Sequence, residues 1–272
     1  MSAEQISWEQ AVTRLRDDPE RAELVQACFY DDPLEQSAQR YFASSEWRAL
    51  RELLPAVKGQ ALDLGAGRGI VAYALARSGW TVTAAEPDPS AIVGAGAIRA
   101  LAAAVDLPID VVEAFGEKLP FPDASFDVVH CRAVLHHAQD LSALCAEVAR
   151  ILRPSGFLIA TREHVLSKES DRARFLEQHP LHRLYGGENA YRKATYVAAM
   201  TSAGLTLQRA LNPFETDINL FPGTKAELKA RIAKRLRLPG PTLIPDIVLR
   251  WLGRFNSAPG RLYTFVARKP LA

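Results

Sequence analysis

ALDLGAGRG, residues 61–69, joins a short apolar run to a turn built on Gly65, Gly67 and Gly69, and the helical stretch GIVAYALARSG (69–79) follows at once. Glycine takes positive φ without strain and carries no Cβ, so the backbone N–H groups of such a turn can lie close against a ligand. Spacing separates the nucleotide classes. A dinucleotide fold wants G-x-G-x-x-G, whose third glycine falls here on Ile70, and the G-K-[ST] of a phosphate-binding loop is missing. Glu86 closes the next strand candidate, 21 residues beyond Gly65, where a carboxylate can accept both hydroxyls of a ribose. That combination requires only an adenosine-type ligand.

The pattern around the turn supplies the fold class. ALDL (61–64), WTVTAAE (80–86), IDVVEAF (109–115), FDVVHC (126–131) and FLIAT (157–161) are short apolar runs, and between them lie helical stretches at 69–79, 89–105 and 140–156. Strand then helix, repeated, predicts a doubly wound α/β sheet, mostly parallel and covered on both faces. Residues 5–54 read as helices with turns at Asp17-Asp18-Pro19 and Asp31-Asp32-Pro33; 162–189 reads as irregular, and a helix is expected around 190–203. LTLQRAL (205–211) and RLYTFVARK (261–269) complete seven strands around a helical insert at 221–260. One domain is expected over 1–272: an N-terminal helical lid (1–54), a core sheet (55–216 and 261–272) and the insert.

Composition narrows the function classes. With 48% hydrophobic and 24% charged residues the chain is of ordinary globular type, and a net charge of +2 makes no whole-protein case for nucleic acid. Cys28, Cys131 and Cys145 form no even framework and no C-x-x-C pair, which fits reduced thiols in the cytoplasm. The N-terminal MSAEQISWEQAVTRLRDD lacks the apolar core of a signal peptide, and no run is long and apolar enough to span a membrane.

ALDLGAGRG with Glu86, GEKLPFPDASFDVVHCRAVLHH (116–137) and EVARILRPSG (147–156) together resemble the class I S-adenosylmethionine-dependent methyltransferases, and closely the branch with quinone and small-molecule methyltransferases. The resemblance covers roughly 55–165 and implies a Rossmann-like sheet with S-adenosyl-L-methionine as cofactor. It implies that Asp63, Gly65 and Gly67, with Ala66 between them, hold the methionine end, that Glu86 and the adjoining Pro87 hold the ribose, and that the main chain around Cys131 meets the amino group. The family's adenine-binding aspartate aligns with Phe115, which accepts no hydrogen bond. Adenine is therefore assigned to the Gly116 backbone and the Glu117 side chain, with Phe115 either packed on the ring or pointing into the core.

The sulfonium already activates the methyl group, so the protein's task is alignment, plus a base where the nucleophile is protonated. Histidine suits that task near neutral pH. All six histidines lie within 130–182. His137, after strand four, and His164, after strand five, are the expected catalytic pair; His136, Tyr41, His182 and Tyr185 are expected on the acceptor side, and His130, inside a strand, in the core. His179, His182 and Glu188 fall short of the four ligands of a structural zinc site, so no metal is expected. Gly186-Gly187 supply a turn, and Glu188 or Asn189 caps the following helix.

No [Asp/Asn]-Pro-Pro-aromatic motif of nucleic-acid amine methyltransferases follows strand four; His130-Cys131-Arg132-Ala133 stands there. A small-molecule acceptor is expected, and no nucleic acid. The insert carries eight Lys/Arg against Glu227 and Asp246, +6, which leaves −4 on the rest of the chain. Its basic helix and apolar partner over 224–255 read either as a cover for the substrate cleft or as a peripheral contact with a membrane surface, where a lipid-like or quinone acceptor would reside. Arg40, Tyr41, Glu46 and Trp47 are expected in the other half of the lid. A catalytically silent S-adenosylmethionine-binding partner subunit is the rival function. The sequence sets no oligomeric state.

Overall fold

A computed structural model of the chain describes residues 6–271. Residues 1–5 of the predicted lid and Ala272 of the predicted core sheet lie outside the described residues. Four helices come first: α1 (Trp8–Arg16), α2 (Ala22–Ala27), α3 (Leu34–Ala43) and α4 (Ser45–Arg51). The alternating region follows as β1 (Gln60–Leu64), α5 (Ile70–Arg77), β2 (Thr81–Ala85), α6 (Ala95–Ala104), β3 (Ile109–Val112), β4 (Phe126–Arg132), α7 (Leu141–Ile151) and β5 (Leu152–Leu166). Then come α8 (Arg172–Gln178), α9 (His182–Tyr185), β6 (Tyr191–Arg192), α10 (Lys193–Ser202), β7 (Thr206–Leu211), α11 (Asp217–Leu220), α12 (Lys225–Arg235), α13 (Asp246–Arg254) and β8 (Arg261–Arg268).

The sheet order is β3-β2-β1-β4-β5-β8-β7, with β6 paired to β5 as an eighth, two-residue strand. The first five strands run parallel and β8 is antiparallel to both neighbours. Successive strand residues face opposite sides: Leu62, Leu64, Val129, Leu158 and Ala160 enter one core with α7 and α10, whereas Ala61, Val128 and Ile159 enter a second with α3, α4 and α5. Both faces are thus covered, which is what makes these strands read as continuous apolar runs.

Several predicted boundaries move, each for a local reason. The helix expected over 89–105 starts only at Ala95, because the chain from Glu86 folds back on itself; Ala95 N–H donates to Asp88 O at 2.7 Å. The strand expected to reach Phe115 stops at Val112, so Phe115 lies outside the sheet. The helix expected to reach 156 stops at Ile151, ahead of Pro154, which has no N–H to give. Beyond it β5 runs to Leu166, into the stretch read as irregular, because Glu163, His164 and Val165 pair with the start of β8. The register slips between Ala160 and Glu163, and Arg162 sits in the left-handed region at φ 59°. A bulge of this kind re-aims the side chains that follow it.

Candidate active site

Helices after β1 and β4 pack on opposite faces of the sheet, so the winding reverses between these adjacent strands, the usual ligand position in an open parallel sheet. A cavity of about 730 Å³ lies there, within the roughly 300–1,000 Å³ of small-ligand sites. Its lining combines the glycine turn, Glu86–Asp88, Ala114–Glu117, Arg132–Val134 and His136–Gln139 with residues from α1, α2 and the segment after β5.

At the turn, the N–H groups of Gly65 and Ala66 both donate to Ala85 O, Gly67 N–H to Glu86 Oε2 at 2.7 Å, and Gly69 N–H to Ala66 O. Asp63 Oδ2 accepts the Ala72 N–H in the first turn of α5 at 2.9 Å, and its other oxygen stands 3.1 Å from His130 Nδ1. The expectation that turn N–H groups approach the ligand is corrected for these four: they are satisfied by the chain itself. So is the helix-start donor that a phosphate binder would leave for its anion. The turn instead offers shape. Gly65, at φ 65°, packs so tightly that a Cβ would come within 2.6 Å of Val134, while the space beside Gly67 is open. Asp63 lines the cavity with both oxygens engaged.

Glu86 directly follows β2 and faces the cavity, its carboxylate held by Gly67 and Asp88 N–H groups, and burial raises its pKa. Phe115 is 62% exposed and lines the same cavity, which removes the core alternative for it. Gly116, Glu117, Ala66 and Pro87 line it as well. Glu117 Oε1 is already taken by the Gln139 N–H at 2.9 Å. A buried carboxylate and an open aromatic face on one cavity fit a ribose and a flat base. The Cys131 side chain is buried in one of the two cores, and the main chain just beyond it, at Arg132 and Ala133, lines the cavity.

The histidines gather around two glutamates. The β5 bulge aims Glu163 at the turn after β4, where it accepts the N–H groups of Val134, Leu135 and His136, each at 3.1 Å, and stands 2.7 Å from His136 Nδ1. His164 Nδ1 lies 2.8 Å from Gly260 O, and His137 Nδ1 lies 2.8 Å from Gly187 O. Glu188 accepts from Tyr185 Oη, and its other oxygen lies 3.5 Å from His136 Nε2 and 3.8 Å from His137 Nε2. Burial would depress His136, but Glu163 overrides it and lifts the imidazole to about 9. Burial, with His136 beside it, pushes His164 down to about 3 and lowers His137. Glu188 would be raised by burial and is held low instead by His136, His137 and His179.

The cavity therefore brings together His136, His137, His164 and Tyr185 of the predicted set, and adds His179 and Glu188. His182 does not line it, although Tyr185 at the other end of α9 does, and the grouping His179-His182-Glu188 gives way to one of His136, His164 and Glu188. Glu188 does not cap the next helix, whose N-cap is Arg192. Tyr41 is also corrected: it is fully buried against Phe29 and Trp47. Glu46, 1% exposed, forms a two-pronged pair with Arg132 at 2.7 and 3.0 Å. The Tyr41–Trp47 part of the supposed lid is thus core, and among the described residues of the N-terminal segment Trp8 of α1, Leu24 of α2 and Cys28–Tyr30 just beyond it line the cavity. No residue of 221–260 lines it, which removes the cleft-cover reading of the insert. His130 is buried between Asp63 and Thr161, as expected. Glu163 carried no signal in the sequence, where it falls beyond the strand expected over 157–161 and beside the charged Arg162.

Residues 62–160 match the profile of a family described as a methyltransferase domain. The match runs from Leu62 inside β1 to Ala160 inside β5, and it marks this stretch as similar to a methyltransferase domain. A methyltransferase of Mycobacterium sp. (strain JLS) is 34% identical over 113 residues, 42% of each chain. A ubiquinone biosynthesis O-methyltransferase of Rhizobium leguminosarum bv. trifolii is 30% identical over 132 residues, 48% of this chain and 51% of the relative. The chain thus spans about half the length of these curated relatives. A solved geranyl diphosphate methyltransferase in complex with SAM superimposes with a TM-score of 0.60 at 16% identity, over 88% of this chain and 91% of the other; it shares the fold.

Proposed function

We propose that the chain binds S-adenosyl-L-methionine and transfers its methyl group to an oxygen or nitrogen of a small, largely apolar acceptor. One observation carries this: Glu86 and Phe115 open onto the same cavity as His137 and His164. The sulfonium supplies the activated methyl group. Glu86 takes the ribose hydroxyls, Phe115 the adenine face, and α1 and α2 exclude water. Carbonyl oxygens only accept, so the Nδ1 of His137 and of His164 carries the proton and Nε2 is left with the lone pair; the Nε2 of His137 takes the acceptor's proton, while His164, held down to about 3, orients the acceptor. Similarity to an O-methyltransferase supports an oxygen acceptor. Differential scanning fluorimetry with S-adenosylhomocysteine against NAD tests the cofactor; a ligand at 100 times its Kd adds about 2.7 kcal/mol, and no shift with the adenosyl ligand overturns the proposal. Incubation with labelled methyl donor and a metabolite extract tests transfer. Tight binding without a labelled product would instead support the catalytically silent subunit.

A lipid-like acceptor taken from a membrane surface is favoured by one further feature. Ile247 and Trp251 on α13 and Phe255 at its C-cap, four apart and therefore on one face, are 60–65% exposed, and Leu243, just ahead of the helix in sequence, is 55% exposed. Arg231, Lys234, Arg235, Arg237 and Arg254 are exposed on the same insert. Apolar side chains bordered by cations suit an anionic bilayer surface. Cosedimentation with phosphatidylglycerol vesicles but not phosphatidylcholine, lost in Trp251→Ser/Phe255→Ser, is expected; equal binding by the variant refutes it. No helix among the described residues is long and apolar enough to cross a membrane.

A further inference from the structure

The histidine cluster contains more than proton transfer needs. Three imidazoles, His136, His137 and His164, each have Nδ1 against an oxygen that only accepts: Glu163 Oε2 at 2.7 Å, Gly187 O at 2.8 Å and Gly260 O at 2.8 Å. Each Nδ1 must therefore be the protonated nitrogen, and the rings are turned so that Nε2 of His136 and His137 faces the same Glu188 oxygen. This is the outer arrangement that holds metal-binding histidines, with a carboxylate or backbone carbonyl fixing the tautomer and ring plane from behind.

The centre of the cluster has unmet polar atoms. Glu188 Oε2 is buried without a hydrogen-bond partner, although its side chain is only 4% exposed. His179 Nδ1, 3.9 Å from the other Glu188 oxygen, is likewise buried without one. Two such atoms in a single cluster are unusual, since burying a polar group unsatisfied costs about 1–3 kcal/mol. The ligand atoms of His136, His164 and Glu188 all lie within 4.8 Å of one another. Nitrogen or oxygen ligands about 2.0–2.1 Å from a tetrahedral ion stand about 3.4 Å apart. The 3.5 Å between His136 Nε2 and Glu188 Oε2 already has that spacing, and small side-chain rotations close the rest.

We propose that His136, His164 and Glu188 bind one divalent transition-metal ion on the acceptor side of the cavity, with His179 or His137 able to approach as a further ligand. Two imidazoles, one carboxylate and no thiolate are a donor set for zinc, iron(II) or cobalt(II) rather than for calcium or magnesium. The ion takes the Nε2 lone pair of each imidazole, the nitrogen that the Nδ1 hydrogen bonds leave free. The three ligands come from the turn after β4, from β5 and from the segment before β6, and all three line the cavity, so the positions they leave are open to a molecule bound in it. An acceptor carrying an oxygen donor would fill one of them, its pKa lowered by the ion; His164 is then a ligand, and the proton-accepting role stays with His137. Only this assignment of the ion to the acceptor rests on the proposed methyl transfer. The metal site itself stands on the cluster and is tested without turnover.

The full chain, stripped with chelator, is titrated with cobalt(II) while visible absorption is followed, and dialysed against zinc with the bound ion counted by mass spectrometry. One ion per chain is expected, with the visible bands of a nitrogen-ligated, four- or five-coordinate cobalt. Glu188→Gln, which keeps the side-chain shape, and His164→Ala should each weaken binding at least 100-fold, with far-UV circular dichroism reporting that they fold. His182→Ala, which removes a histidine outside the cavity, should leave the stoichiometry and bands unchanged. No ion bound at 100-fold excess over chain, or binding that survives both ligand variants and disappears with His182→Ala, overturns the site. A stabilising shift with S-adenosylhomocysteine in the metal-free chain is read separately, so loss of the metal site and loss of the methyltransferase reading are distinguishable.

Discussion

Replacing Glu46 by alanine removes the countercharge of Arg132, whose side chain is 16% exposed and donates two hydrogen bonds to Glu46 at 2.7 and 3.0 Å; Arg162 Nη1 lies 3.9 Å from the same carboxylate. Hydrogen bonds to charged groups contribute about 1.5–3 kcal/mol each, and breaking a buried pair from one side costs about 3–5 kcal/mol because the partner is left charged and dry. The two routes agree on a loss of about 3–5 kcal/mol. At about 2 °C per kcal/mol for a chain of this size, Tm should fall by about 6–10 °C. Calorimetry at pH 7.5 measures it. Glu46→Leu/Arg132→Met should recover most of the loss, since no charge is then stranded. The pH dependence has a definite sign. Burial would raise the Glu46 carboxyl, but Arg132 and Arg162 outweigh it and hold it below the ordinary carboxylate value. A depressed folded-state pKa stabilises above the unfolded value of about 4.3 and is lost as pH falls through the folded one. The gap between wild type and Glu46→Ala should therefore stay constant from pH 8 to 5 and close below about 4. A Tm change under 2 °C, or a gap that widens on acidification, would mean that this segment is a solvated lid after all.

Gly67→Ala should cost only the left-handed strain of about 1–2 kcal/mol, because a Cβ there meets nothing nearer than 4.0 Å, whereas Gly65→Ala adds a 2.6 Å contact with Val134 and should lose clearly more in urea unfolding; equal losses refute the packing account. Glu86→Ala should weaken S-adenosylhomocysteine binding about tenfold or more, about 1.4 kcal/mol, by isothermal titration, and an unchanged Kd would remove Glu86 from the site. His137→Ala and His164→Ala should lower kcat at least tenfold with cofactor Kd within twofold; parallel loss of both would mark them as structural.

How far the sequence reaches depends on the range of the interactions that decide each feature. Gly65 and Glu86 were legible because a left-handed turn and a strand end impose their residue types locally. Tyr41 and Trp47 were not: an aromatic on an amphipathic helix looks the same whether it faces a cavity or a core, and only the Glu46–Arg132 pair, spanning 86 residues, decides. The histidines were visible as a cluster in sequence, but their partners were not. Glu163 and His164 are aimed by a bulge whose register is set against Tyr263 and Leu262, and His164 is oriented by Gly260 O, 96 residues away. Glu188 reads as a helix cap until that framework is in place. Gly186, left-handed at φ 80°, then ends α9 just ahead of it, and Glu188 lies within 4 Å of three imidazoles. The residue types for the proposed cofactor site are thus written near the glycine turn, whereas the protonation pattern proposed to let the histidines face a metal ion is written across the sheet by backbone carbonyls and Glu163. A substitution that shifts the β5–β8 register should therefore disable the acceptor side while leaving the cofactor side intact.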